Sequence, residues 1–220
     1  MSATAPSERT QVHRLPQRGA YDRDTIHAIL DEGLLAHVGL ATAEQPFVLP
    51  MVYGRIDDTL YLHGSSASRL LRAGAAGHAL CATVTLVDGL VVARSAFHHS
   101  MNFRSVVVLG DGRPVDDAEE RLAALRAIVN HVVPERWLDS RRPNAKELAQ
   151  TLVLALSLKE ASAKVRTGPP VDDAEDLALP YWAGTLPVRT RFGAPETDAQ
   201  LPADIEAPTY LIRYERPTQE

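Results

Sequence analysis

Apolar and polar positions alternate with a period of two along most of this chain, which is the pattern of antiparallel strands. Two such runs, residues 35–41 and 47–53, are separated by the segment 42–46, and this spacing predicts a hairpin. Asp88 and Gly89 predict a turn between two later strands. Further extended segments are predicted at residues 60–63, 78–87, 90–97, 103–109, 151–165, 182–188 and 210–214.

Helical spacing is restricted to short stretches between these strands. Asp22 predicts the N-cap of a helix in which Ile26, Ile29 and Leu30 share one face, and Gly33 predicts a left-handed residue at its end. Further helices are predicted from Arg69, from the capping pair Asp116 and Glu119, and from the pair Asn144 and Glu147. Strands decorated by helices, without regular β-α-β alternation, predict an α+β fold built on a mainly antiparallel β-barrel with peripheral helices.

Pro50 is an unusual residue inside the second predicted strand. Proline cannot donate a hydrogen bond to a neighbouring strand, so its position indicates a sheet edge, a bulge or main chain that faces a ligand. An edge strand that proline protects from aggregation explains the residue as well as a ligand does when Pro50 is considered alone.

Composition narrows the class of protein. The 220 residues are 45% hydrophobic and 23% charged, which suits one globular domain and excludes a disordered or fibrous chain. The net charge of −5 argues against nucleic-acid binding, which depends on clustered lysine and arginine. Cys81 is the only cysteine, so the chain forms no internal disulfide and a reducing compartment is expected.

The predicted domain organisation is a flexible polar arm at residues 1–19 followed by a single domain at residues 20–215. The arm lacks the apolar centre of a signal peptide. No apolar stretch approaches the ~20 residues needed to span a bilayer, so a cytoplasmic protein without a membrane segment is predicted.

Several common catalytic motifs are missing. The chain has no GxGxxG dinucleotide motif, no phosphate-binding P-loop and no GxSxG nucleophile elbow. It also has no HExxH motif, and the adjacent His98 and His99 would point to opposite faces of an extended chain. The sequence therefore predicts no metal site.

The segment 63–72, HGSSASRLLR, combines the end of a strand, a small flexible loop and the start of a helix. Hydroxyl and main-chain N–H donors near a helix N-terminus favour a phosphate group, and Arg69 can add a charge-assisted hydrogen bond. The alternative is a helix capped by Ser66 or Ser68, with Arg69 and Arg72 solvated. A second dense group of hydrogen-bonding residues precedes an apolar strand: His98, His99, Ser100, Asn102, Arg104 and Ser105.

Five segments together carry a family resemblance. They are VLPMVY at 48–53, LYLHGSSASRLLRA at 60–73, DGLVVARSAFHHSMNFRSVVVLG at 88–110, KEASAKVRTGPP at 159–170 and YWAGTLPV at 181–188. With them the chain, over about residues 15–190, resembles the flavin-nucleotide-binding branch of the pyridoxamine 5′-phosphate oxidase superfamily, which includes the nitroimidazole-resistance proteins. The resemblance implies an FMN-binding split barrel that forms a homodimer with one FMN in each of two interface clefts, FAD being the alternative flavin.

The resemblance also implies roles for individual residues. Ser68 and Arg69, followed by Leu70, would hold the FMN phosphate, and His63, Gly64 and Ser65 would lie along the ribityl chain. Pro50, Met51, Val52 and Tyr53 would offer main-chain and side-chain contacts to the flavin ring. Asn102, Phe103, Arg104 and Ser105 would lie beside the isoalloxazine, where a guanidinium stabilises the anionic reduced flavin. Trp182 would stack on the ring, or else lie at the dimer seam.

Two departures bear on function. Leu70 stands where pyridoxamine 5′-phosphate oxidase itself has a basic residue, and the C-terminus lacks that enzyme's arginine-rich substrate motif, so oxidation of pyridoxamine phosphate is not expected. The leading hypothesis is an FMN-dependent oxidoreductase acting on a small organic substrate, such as a nitroaromatic, with His98, His99 and Arg104 as candidates to orient or protonate it. The alternative is a non-catalytic protein that binds, stores or senses flavin or haem.

Overall fold

The computed structural model describes residues 4–217, which form ten strands and five α-helices. The helices are α1 (Arg23–Glu32), α2 (Arg69–Ala75), α3 (Ala118–Val132), α4 (Ala145–Ala149) and α5 (Thr209–Ile212). The strands are β1 (Gly19–Ala20), β2 (Leu35–Ala41), β3 (Pro46–Ile56), β4 (Thr59–Ser65), β5 (Ala79–Val92), β6 (Ser100–Asp111), β7 (Arg113–Pro114), β8 (Thr151–Ser157), β9 (Ala161–Arg166) and β10 (Gly184–Pro187). None of the helices within residues 4–217 combines the length and apolar character needed to cross a bilayer.

All the strand pairs are antiparallel, and their order is β1-β9-β6-β5-β2-β3-β4-β8-β7, with β10 added beside β5. The inward side chains of this sheet and the apolar face of α1 form one continuous core. A smaller core lies under α3, which covers Tyr61 of β4 and Val153 of β8. The predicted α+β class with a mainly antiparallel barrel is confirmed.

The predicted turn at Asp88 and Gly89 is wrong. β5 runs without a break from Ala79 to Val92, and its register with β6 shifts between Val87 and Gly89, which marks a β-bulge. The bulge accommodates the extra residue, so a sequence signal that is typical of a turn occurs inside one long strand. The true reversal follows β5 and includes a short 3₁₀ turn at Ala96–His98.

The predicted strand 151–165 consists of two strands. β8 pairs with β4 and β7, whereas β9 pairs with β6 and β1, and a 3₁₀ turn at Leu158–Glu160 separates them. The chain changes neighbours at this turn, which the continuous apolar pattern hides. The segment 210–214, predicted as extended, instead lies mostly in the single helical turn α5.

The helix boundaries follow their caps closely. Asp22 caps α1 as predicted, and Asn144 with Glu147 forms the predicted capping box of α4. α3 begins one residue later than predicted, because Asp117 rather than Asp116 caps it. Gly33 is not left-handed, since its φ is −66°. It has to be glycine because a Cβ there would lie 2.3 Å from Val84.

The segment expected to be a flexible arm is folded from Glu8 onward. Thr10 is buried, and the main-chain N–H of Val12 donates to the Tyr21 hydroxyl at 2.9 Å. β1 then adds to the edge of β9. The last residue of the predicted arm, Gly19, therefore begins an edge strand of the sheet.

Candidate functional site

The first half of β3 has one free edge within the described residues. Residues 46–52 pair with β2, whereas β4 pairs with β3 only from Tyr53 onward. Pro50 lies in this half, opposite His37 of β2, and Val48 nearby is 61% exposed. Pro50 thus lies on an edge, as one of its predicted explanations required. The same open edge leaves main-chain atoms of β3 accessible to a ligand.

The loop between β4 and α2 has the donors expected of a phosphate site. Ser68 is the N-cap of α2, and its Oγ accepts from the N–H of Leu71 at 3.4 Å. The N–H groups of Arg69 and Leu70 belong to the first turn of the helix, and such N–H groups have no main-chain acceptors within the helix. The Ser68 hydroxyl can cap the helix and still donate its proton, so the capping and phosphate interpretations are compatible here.

The Arg69 guanidinium lies 5.0 Å from the centre of the Phe47 ring and is exposed. It forms no ion pair with a carboxylate in residues 4–217. The space between it and the β2–β3 turn is lined by Thr42, Ala43, Glu44 and Phe47. The Phe47 ring therefore holds a cation beside the loop without neutralising it, which leaves the charge for a ligand.

His63 and Ser65 lie on the strand that enters this loop. The Nδ1 atom of His63 is buried without a hydrogen-bond partner in the described residues, and burial lowers the pKa of the ring. The Ser65 Oγ accepts from the N–H of Ala67 at 3.2 Å. A Cβ on Gly64 would lie 2.9 Å from Leu71, so glycine lets the loop approach α2. A neutral imidazole with an unsatisfied nitrogen suits a ligand hydroxyl.

Two residues predicted to contact the cofactor have side chains in the core. Tyr53 is fully buried and its hydroxyl donates to the carbonyl oxygens of Leu30 at 2.5 Å and Gly33 at 3.0 Å. Its burial raises the pKa of the phenol. Leu70 is 2% exposed. Only the main-chain atoms of these two residues remain for a ligand, which corrects the prediction of side-chain contact by Tyr53. Met51 and Val52 are half-buried.

The structure also corrects the role predicted for the Arg104 side chain. Its Nε and Nη2 donate to Asp88 at 3.0 and 2.7 Å, and its Nη1 and Nη2 donate to Glu32 at 2.5 and 2.9 Å. Hydrogen bonds to both carboxylates raise the pKa of the guanidinium. A guanidinium held between two carboxylates does not provide a free positive charge for reduced flavin. It joins the end of α1 to the bulge of β5.

Arg166 contributes a different guanidinium to the segment 102–105. It lies opposite Phe103 in the pairing of β6 with β9, and its Nη1 donates to Oδ1 of Asn102. The Ser105 hydroxyl donates to the Lys164 carbonyl at 3.4 Å. Sequence reasoning recognised the KEASAKVRTGPP motif without a role for Arg166, because its contact with Asn102 joins positions 64 residues apart in the sequence.

His98 is brought together with acidic residues from late in the chain. Its Nε2 lies 3.1 Å from Asp173 Oδ2, and a ligand atom of Asp176 joins the group within 4.8 Å. The buried carboxylate of Asp172 holds this segment in place by accepting from the Arg94 N–H at 2.8 Å. The cluster could hold a metal ion, which the sequence does not predict, although exposed acidic groups commonly gather without one.

The remaining candidates are more exposed. The Nδ1 of His99 lies 3.0 Å from the main-chain carbonyl of Ser95. Trp182 is 69% exposed and folds back over Gly184, where a Cβ would lie 2.8 Å from its ring. The structure therefore leaves the indole face available to a ligand or to another subunit.

The antiparallel sheet, with an open strand edge beside a loop suited to a phosphate group, identifies this chain as a split β-barrel protein. Residues 22–165 match the sequence profile of pyridoxamine 5′-phosphate oxidase, and the chain belongs to that family. Comparison with curated proteins gives no match.

Two solved structures resemble most of the chain, and a third resembles about two thirds of it. The flavocytochrome Anf3 of Azotobacter vinelandii is 43% identical, with a TM-score of 0.92 over 97% of this chain and 100% of its own. The FAD and heme binding protein of Mycobacterium smegmatis is 36% identical, with a TM-score of 0.83 over 88% and 95%. A Bacteroides thetaiotaomicron protein assigned to 5-nitroimidazole antibiotic resistance is 24% identical, with a TM-score of 0.55 over 67% and 86%, and supports the fold alone.

Proposed function

We propose that this chain is a redox flavoprotein that holds the flavin phosphate at the β4–α2 loop. The observation that carries the proposal is the Arg69 guanidinium, positioned over Phe47 beside the first turn of α2 without a carboxylate partner in residues 4–217. The Ser68 hydroxyl and the first-turn N–H groups add neutral donors around the same point. Two relatives above 30% identity are named for flavin or FAD, which supports the same cofactor class here.

The flavin ring would lie along the open half of β3. The main chain of Pro50 to Val52 lines this edge, and His63 lies on β4, the strand that enters the phosphate loop, with an unsatisfied Nδ1. FMN and FAD carry the same phosphate next to the ribityl chain, so the loop can serve either one. The family resemblance favours FMN, whereas the name of the mycobacterial relative favours FAD.

Haem is the second cofactor that we propose, because the mycobacterial relative is named for heme and the Azotobacter relative is named a flavocytochrome. Haem iron in proteins is commonly held by a histidine in an apolar pocket. His37 is an exposed imidazole on β2, beside Leu35, which is 47% exposed, and Val48, which is 61% exposed. His37 fits the role of an axial haem ligand, and Leu35 and Val48 fit the role of its apolar surroundings. Bound flavin and haem would together supply electron transfer.

We further propose that the protein is a homodimer. One outer face of the sheet carries six large apolar side chains that are between 40% and 61% exposed, which is typical of an interaction surface. They are Leu35, Val48, Val87, Leu90, Met101 and Leu186. A second copy packed on this face would bury them and would also cover the open edge of β3, closing a cleft over the flavin.

Catalysis would need a proton donor near the reduced flavin. His98 is the best placed of the predicted candidates, because Asp173 can orient its ring, whereas Arg104 is held by two carboxylates. The substrate proposed from the sequence, a small organic molecule such as a nitroaromatic, draws no support from the nitroimidazole relative, whose similarity extends to the fold alone.

The proposal is tested by purifying the protein and recording its absorbance and its sedimentation. We expect flavin bands between 350 and 500 nm, on the order of those of free flavin, together with a haem Soret band, and a mass of about twice 24.0 kDa. Chromatography of the flavin that is released when the protein is heated would distinguish FMN from FAD. Anaerobic reduction followed by an acceptor distinguishes an enzyme from a store. A colourless protein that takes up no flavin on reconstitution contradicts the proposal.

Replacing Arg69 with alanine should weaken FMN binding by ~10 to 100-fold, because charge-assisted hydrogen bonds contribute roughly 1.5 to 3 kcal/mol. Riboflavin, which has no phosphate, should lose much less. Titration by flavin fluorescence quenching measures both affinities. Arg72→Ala is the matched control on the same helix and should change either affinity little. Equal losses of FMN and riboflavin affinity in Arg69→Ala would show that the guanidinium does not bind the phosphate.

A further inference from the structure

Arg166 is the only arginine or lysine among the buried residues of the described range 4–217, with 5% of its surface exposed. All its hydrogen-bond acceptors are neutral. Nη1 donates to the Asn102 side-chain oxygen and to the carbonyl of Gly168 at 3.3 Å, and Nη2 donates to the carbonyl of Pro169 at 3.2 Å. Its Nε is buried without an acceptor in the described chain.

Burying such a cation costs desolvation free energy. A charge removed from water needs an opposite charge, and a buried guanidinium normally faces a carboxylate or a phosphate. Arg104, on the neighbouring strand β6, follows that rule, since it has Glu32 and Asp88. Arg166 has no carboxylate partner in residues 4–217, so its surroundings are incomplete without an anion.

Two more cations lie beside Arg166. Arg18 directly precedes β1, which pairs with β9 through Gly19 and Lys164. Burial, and after it the positive charge of Arg18, lowers the pKa of Arg166. Lys164 is two residues before Arg166 on the same strand and so shares its face. Its Nζ donates to the main-chain carbonyl of Arg14 at 3.0 Å, which fixes the ammonium at this edge.

Neither Arg18 nor Lys164 forms an ion pair with a carboxylate in the described chain. Three positive groups therefore gather at the β1–β9 edge of a protein whose net charge is −5. Neighbouring like charges repel one another, and a single carboxylate would leave a net positive charge. A dianionic group with several acceptor oxygens matches the set better, and Arg166 presents the donor geometry that favours phosphate.

We propose that Arg166, with Arg18 and Lys164, binds a phosphoryl group at a second anion site of this protein. The site differs from the β4–α2 loop, because it lies on β9 and β1, whereas the loop follows β4, which is five places from β9 in the strand order. The phosphoryl group that we place at Arg166 is therefore a different group from the one that we place at Arg69.

The phosphoryl group has two chemical sources. It belongs to the second phosphate of a flavin dinucleotide held mainly by another subunit, or to a separate phosphorylated substrate or electron donor. Both sources place the same dianion against the same guanidinium. The proposal itself does not depend on flavin binding, so it can be tested with a simple anion.

The test is calorimetric titration of the protein with inorganic phosphate at low ionic strength. Arg166→Gln and Arg18→Gln should each weaken phosphate binding by at least ~10-fold, in line with the loss of a charge-assisted contact. Arg126→Gln, which removes an exposed arginine on the outside of α3, is the matched control and should leave the affinity unchanged. Circular dichroism checks that each variant is folded.

The titration also identifies the source. If FAD supplies the phosphoryl group, FAD-loaded protein should no longer take up phosphate, whereas FMN-loaded protein should. If a separate ligand does, both loaded forms should bind it. If Arg166→Gln fails to fold, the test is decided by Arg18→Gln and Lys164→Gln, which replace less buried side chains. The proposal is overturned if no form of the wild type binds phosphate saturably, which is the result expected if a carboxylate of a partner subunit pairs with Arg166. It is also overturned if the variants bind phosphate as well as the wild type does.

Discussion

Replacing Gly54 with alanine should destabilise the protein by about 2 to 3 kcal/mol, a large effect for one methyl group. Gly54 lies where β3 passes under α3, and a Cβ there would lie 2.6 Å from the Ile128 nitrogen and 2.7 Å from the Ala127 carbonyl carbon. Both are main-chain atoms, so no side chain can rotate away to relieve the overlap. α3 has to move off the sheet, which separates Ile128 from its core contacts. Urea denaturation followed by circular dichroism measures the loss.

Gly39→Ala is the matched control, because Gly39 lies in the neighbouring strand β2 and a Cβ there would have its nearest contact at 3.5 Å, on the Cys81 carbonyl. That is an ordinary van der Waals distance, so we expect a change within roughly 0.5 kcal/mol. An equal loss of unfolding free energy in the two variants would mean that the destabilisation comes from replacing a glycine in a strand, and not from the close approach of α3.

The Gly54 variant should also weaken flavin binding, since residues 50–52, on the open half of β3, lie just before it in the same strand. A shift of α3 moves the strand that we propose lies along the flavin ring. Arg69 and Phe47 lie away from this contact, so the phosphate loop itself should remain in place. The loss of affinity should therefore be similar for FMN and riboflavin, in contrast to the loss in Arg69→Ala.

Much of the fold is predictable because its signals are local. β2 has the predicted bounds, since alternating apolar residues and the turn that follows both lie within a few positions. α1 and α4 begin at the predicted caps for the same reason. The predicted turn at Asp88 fails because long-range pairing decides there: β5 and β6 stay paired on both sides of it, and Arg104 binds the Asp88 carboxylate. Nothing within a few residues of Asp88 contains that information.

The candidate site follows the same division. The β4–α2 loop is contiguous in sequence, so its serines and Arg69 could be recognised together. Arg166 and Asp173 could not be assigned, because their partners Asn102 and His98 lie 64 and 75 residues away. Arg104 shows the opposite error: the motif locates the residue beside the site, but the direction of its side chain depends on two carboxylates from other elements.

The C-terminal segment closes the structure where α1 and α3 both end. Arg216 donates to the main-chain carbonyls of Asp31, Glu32 and Gly33, and to that of His131 on α3. The last carbonyls of a helix have no partners within it and carry partial negative charge, so one guanidinium satisfies two helix ends at once. The late segment, far from the motifs that define the family, thereby covers the His131 ring.

His131 should make the protein less stable as the pH falls from about 6.5 to about 4. Its ring stacks on Tyr53 with centroids 4.3 Å apart, and its Nε2–H donates to the Gly33 carbonyl at 2.7 Å. Burial, reinforced by the positive charge of Arg216, lowers the pKa of His131 from 6.5 to about 4. The unfolded chain therefore binds a proton in this window that the folded chain excludes. The contribution is complete above pH 6.5 and is lost as the pH falls, by roughly 3 kcal/mol at 1.4 kcal/mol per pKa unit.

The measurement is the free energy of unfolding of the wild type and of His131→Asn at half-unit steps between pH 4 and 7.5, a range on the order of the ring's titration. Asparagine keeps an N–H donor for the Gly33 carbonyl but does not titrate, so the difference between the two proteins should shrink steadily towards low pH. His99→Asn, at an exposed ring, is the control and should follow the wild type. A difference between wild type and His131→Asn that is constant across the range would show that His131 is not held neutral by its surroundings. The stability of the junction between α1, α3 and the C-terminal segment would then depend on Arg216 and packing alone.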